Sequence, residues 1–60
     1  MLMHERIVWT VARELVARFG EDAVLKARRR SRELQQAGDP NAAAVWSQVA
    51  EVAESLLRPQ

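Results

Sequence analysis

Cysteine and tyrosine are absent from this 60-residue chain, and histidine occurs once. Without cysteine there are no disulfides and no thiolate metal sites, a usage that fits a reducing compartment. The chain offers one histidine, His4, and its serines and carboxylates read mostly as helix caps and surface pairs, so no catalytic or metal motif is expected. The longest uninterrupted apolar run, Ala42 to Trp46, is far too short to cross a bilayer. The opening "MLMHERIVWT" meets charge too early for a secretory signal, so a soluble, cytoplasmic protein is expected. Glycine and proline number two each, and their positions mark the breaks between segments.

Hydrophobic residues make up 48% of the chain, but ten of them are alanine, so the supply of large apolar side chains is small. A domain this short buries only about 60% of its unfolded surface. With neither disulfide nor metal to support it, oligomerisation is the remaining common route to stability.

Helical periodicity divides residues 1–60, taken as one domain, into three helices over about 4–19, 21–37 and 40–58, an all-α fold expected to assemble as a homo-oligomer. At 100° per residue, Ile7, Val8, Val11, Ala12, Leu15, Val16 and Phe19 share one side of the first helix, opposite Arg6, Thr10, Arg13, Glu14 and Arg18. Gly20 suits a left-handed helix stop, and Glu21 and Asp22 put negative charge where the second helix begins. Gly38, Asp39 and Pro40 read as stop, cap and first helical residue, making "AGDP" a turn between helices. In the third helix, Ala42, Ala43, Val45, Trp46, Val49, Ala50, Val52, Ala53, Leu56 and Leu57 cover half the cylinder. Ser47, Gln48, Glu51, Glu54, Ser55 and Arg58 fall opposite.

The second helix has a thin apolar stripe of Ala23, Val24, Ala27, Leu34 and Ala37, with Ser31 among them and Arg30 at its edge. A basic face of Lys26, Arg28, Arg29 and Arg32 covers much of the rest. Asp22 precedes Lys26 by four and Arg29 precedes Glu33 by four, suggesting local pairs worth about 0.2–0.5 kcal/mol each. Residues 21–37 carry a net charge of +2 and residues 39–60 a net charge of −2, so the basic helix is suited to face the acidic one.

Four arginines on one helix could grip phosphates. Against that, net charge is only +1, the second helix is long for a helix-turn-helix unit, and no aromatic interleaves with the arginines. The apolar arc of the first helix is wide once Trp9 and Val16 are counted, and Leu25 stands among charges. The expected interface residues are Trp9, Val16 and Leu25, tryptophan being the commonest hot-spot side chain. Trp46, central on its stripe, reads as core, and His4 as a partly buried residue at the start of its helix.

The segment "ELQQAGDPNAAAVWSQVAEVAESLLRP" resembles half of a tetratricopeptide helical pair in its offsets of Gly38, Ala43 and Ala50, with the tryptophan out of step. That likeness implies a helix hairpin. Almost the whole chain resembles a family of short uncharacterised helical proteins, mainly from sphingomonads and related alphaproteobacteria. The resemblance rests on Glu5-Arg6 followed by Trp9, Gly20 with Asp22-Ala23, Leu34 with Gly38-Asp39, and Ala43, Trp46, Val49 and Ala50. It implies the fold and carries over no activity. Arg28-Arg29-Arg30 is richer in arginine than that family's pattern.

The expectation is a non-catalytic helical interaction or accessory protein, with no cofactor, that associates with itself as a homodimer or higher closed oligomer. The alternative is a small nucleic-acid-binding regulator using the arginine face. A third reading is an inter-subunit groove that takes a small anion through arginines.

Overall fold

Two glycines in the left-handed region, Gly20 at φ 57° and Gly38 at φ 84°, cut the chain into three rods. The computed structural model describes the backbone of residues 3–59 and the side chains of residues 5–59. It is all-helical among those residues: α1 spans Met3–Phe19, α2 Asp22–Gln36 and α3 Pro40–Leu57. These bounds lie within one residue of those expected.

Each junction satisfies helix ends that would otherwise be left open. At the first, the Gly20 amide donates to the Val16 carbonyl at 2.8 Å, and the Ala23 amide donates to the Gly20 carbonyl at 3.0 Å. Glu21, beside the start of α2, makes no side-chain cap, so backbone geometry and the nearby acidic charge open that helix. The second junction is more fully built. The Gly38 amide donates to the Gln35 carbonyl at 3.1 Å and the Asp39 amide to the Leu34 carbonyl at 2.9 Å, the paired bonds of a Schellman stop. Asp39 then accepts from the Ala42 amide at 3.2 Å, with Pro40 in the first turn.

Three helices of this length pack into a body of 33 × 27 × 19 Å with a radius of gyration of 11.0 Å. About 10.4 Å is expected for a compact chain of this length. The short dimension is about two helix diameters, so the layers are few. α3 packs against both other helices, most extensively against α2, and α1 and α2 touch least. Among the described residues the fully buried set is Val8 and Ala12 from α1, Ala23 and Ala27 from α2, and Ala43, Val49, Ala50 and Ala53 from α3. Six of these eight are alanines, which lets α2 and α3 approach closely but buries little area per side chain. Val11, Leu15, Val16, Val24, Val45, Trp46, Val52 and Leu56 wrap this centre half-buried. Trp46 therefore lies against the core as expected, at its margin rather than its middle.

Several expected placements are corrected. Ile7 and Phe19, assigned by periodicity to the covered side of α1, are 51% and 41% exposed. Ile7 lies far around the helix from the Val8–Ala12 line, and Phe19 is the last residue before the chain turns away. Ser47 and Glu54, assigned to the outer side of α3, instead meet α2. The Ser31 hydroxyl lies 2.8 Å from the Ala43 carbonyl and 2.9 Å from the Ser47 hydroxyl, and Arg28 reaches Glu54 at 3.7 Å. Lys26 lies over the Phe19 ring, 4.6 Å from its centroid, rather than on Asp22, and Glu33 pairs with Arg30 rather than Arg29.

Candidate functional site

Two surfaces carry exposed side chains that the core does not enclose. The first is a flank of α1. Trp9 and Val16 are seven residues apart, so on a helix they lie within about 20° of one line and about 10.5 Å apart along it. Trp9 is 42% exposed, while Val16 is half-buried against the core. Ile7, two residues before Trp9, points about 160° away from it, so the two exposed side chains occupy opposite flanks.

The second is the outer side of α2. Leu25, at 65%, is the most exposed of the large apolar side chains. It lies two residues from both Ala23 and Ala27, hence about 160° from the buried stripe they define. Leu25 therefore stands on the side of α2 away from its buried stripe. Arg28, Arg29 and Arg32 follow Leu25 by three, four and seven residues and share its side of the helix. Lys26 belongs with them in sequence but turns toward Phe19.

The arginines differ in what they already hold. Arg28 bridges to Glu54 of α3, while Arg30 reaches Glu33 at 3.3 Å. Arg58 at the end of α3 lies 3.0 Å from Glu54 and 3.7 Å from Glu21, joining that end to the first junction. The basic helix thus does face acidic α3, through side chains that remain about half exposed, and such pairs contribute about 0–1 kcal/mol each. Among the described residues, Arg29 and Arg32 have no carboxylate within bridging distance.

A cleft of about 210 Å³ opens between α2 and α3, lined by Arg28, Ser47, Ala50 and Glu51. It is smaller than the roughly 300 Å³ common for small-molecule sites, and its lining carries one charge of each sign, Arg28 and Glu51. No described polar side-chain atom is buried without a hydrogen-bond partner. Among the described residues no three histidines or carboxylates gather where they could hold a metal ion. No helix there is long and apolar enough to cross a membrane. The His4 side chain lies outside the described residues. Gly38, Asp39 and Pro40 form the second helix junction and serve the fold.

Sequence reasoning picked out Trp9, Val16 and Leu25 together; Trp9 and Val16 share one flank of α1, and Leu25 shares its side of α2 with Arg28, Arg29 and Arg32. It missed Ile7 and Phe19 as exposed residues. Their positions at the ends of an apolar stripe were the available signal, since stripe ends overhang whatever covers the middle. No known protein family, curated protein or solved structure matches the chain.

Proposed function

We propose that the chain is a non-catalytic helical interaction protein that pairs with a second copy of itself through the Trp9–Val16 flank of α1. The observation that carries this reading is Trp9, a large aromatic side chain left 42% exposed directly in line with half-buried Val16. A two-fold axis crossing α1 near its middle sets Trp9 of one copy on Val16 of the other, so one patch serves both sides. Such a pairing also supplies what the core lacks. Alanines dominate the buried set, and an added layer of apolar contact stabilises only the folded chain. A small stable interface covers about 600 Å² per partner, roughly an eighth of the 4586 Å² this chain exposes. We place the protein in the cytoplasm, in keeping with its lack of cysteine, and among the short alphaproteobacterial helical proteins that it resembles.

The test is Trp9→Ala. A hot-spot aromatic contributes about 2 kcal/mol or more and the two-fold pair contains two of them, so the dissociation constant should rise about 1,000-fold while far-UV circular dichroism keeps its helical signal. A variant that associates as tightly as the parent removes this flank from the interface.

A further inference from the structure

Leu25 is 65% exposed at the N-terminal end of a basic helix face, a placement that self-association through α1 does not explain. Leu25 points away from the buried alanines of α2, with Arg28, Arg29 and Arg32 following it on the same side over two helical turns and Glu21 and Asp22 one turn before it. Arg30 and Arg28 already have carboxylates, at 3.3 and 3.7 Å. Arg29 and Arg32 have none among the described residues, and they stand on either side of the line through Leu25.

We propose that the outer face of α2, built on Leu25 with Arg29 and Arg32, is a docking surface for an acidic helical segment of another protein that carries one apolar anchor. Charge complementarity sets the sign of the partner. Leu25 decides its class. A nucleic-acid backbone would satisfy the guanidiniums but would press charged phosphates around Leu25 with nothing apolar to cover it. No aromatic stands among the arginines to stack on bases. A peptide can bring carboxylates and a hydrophobic side chain together at helical spacing, one turn apart, so that each finds its counterpart. A second copy of this chain is less suited: Glu14, Glu21, Glu33 and Glu54, half of its eight acidic residues, are bridged to its own arginines.

The experiment uses the full chain and fluorescence anisotropy with a short alanine-based helical peptide. Glutamates stand three, four and seven residues to one side of a single leucine, to match the arginines that lie to one side of Leu25; a second peptide has serine in place of that leucine, and a mixed-sequence DNA duplex is the third probe. The expected result is salt-sensitive binding of the leucine peptide, weaker binding of the serine peptide, and weakest binding of DNA. Arg29→Gln with Arg32→Gln should reduce affinity for the leucine peptide about tenfold. Leu25→Ser should bring the two peptides to equal affinity, with helix content and solution mass unchanged in both variants. Equal binding of the two peptides by the parent overturns the proposal, as does absence of binding at high micromolar protein. Tighter binding of DNA with a steep salt slope assigns the face to nucleic acid instead. A Leu25→Ser variant that falls apart into smaller species assigns it to self-association. None of these peptide results bears on the Trp9–Val16 flank, whose own test is the mass of the Trp9 variant.

Discussion

Val49 is the largest fully buried side chain, 1% exposed on α3. Replacing it with alanine removes two methyl groups, a transfer loss of about 1.6 kcal/mol at roughly 0.8 kcal/mol each. If the surroundings do not close, the vacated space of about 50 Å³ adds about 1.2 kcal/mol. Alanine is the better helix former by about 0.6 kcal/mol, which offsets part of this. The net loss expected is therefore about 1–2 kcal/mol, large against the roughly 3–9 kcal/mol that a 60-residue domain has in total. Urea unfolding followed by circular dichroism, at one fixed protein concentration, measures it. The corresponding fall in melting temperature is about 8–16 °C, taking about 8 °C per kcal/mol for so small a domain. A variant as stable as the parent, or more stable by the helix-propensity gain alone, would show that Val49 is not enclosed in the core, and the packing described here would be wrong.

Other perturbations separate the remaining parts of the fold. Asp39→Ala removes the acceptor for the Ala42 amide and should lose about 0.5–2 kcal/mol in the same assay. Gly38→Val should lose about 1–3 kcal/mol from backbone strain alone, because φ is +84° and a Cβ there meets nothing within 4 Å. Relief of that loss by asparagine at the same position identifies strain as its source. Ser31→Ala breaks the link from α2 to the Ala43 carbonyl and Ser47, with an expected loss of about 0.5–1.5 kcal/mol. Trp46→Ala should lower fold stability by about 3 kcal/mol, the low end for a large aromatic because its ring is only half-buried, whether or not the chain is associated.

Punctuation was the most legible part of the sequence. Gly20, Gly38, Asp39 and Pro40 each act locally, through a positive φ, a cap or a fixed ring, and need no knowledge of the rest of the fold. Periodicity also located the buried lines Val8–Ala12, Ala23–Ala27 and Val49–Ala53. It failed where a neighbouring helix decides the outcome. Ala43 and Ala50 let α2 come so close to α3 that Ser47 and Glu54, just beyond the apolar stripe, become contact residues. Lys26 had an acidic residue four positions before it, but the end of α1 brings the Phe19 ring within 4.6 Å. For the candidate site, sequence supplied Trp9, Val16 and Leu25 as one set and the basic residues of α2 as another; that Leu25 shares its side of α2 with Arg29 and Arg32 follows once the buried stripe of α2 is fixed.

The central claim is that this chain does not function alone, and its mass in solution tests that most directly. Light scattering at high micromolar concentration should give about 13.6 kDa, twice the 6.8 kDa chain, or a larger closed multiple. The melting temperature should climb as concentration rises. A mass of 6.8 kDa at that concentration, with melting independent of it, would contradict the account.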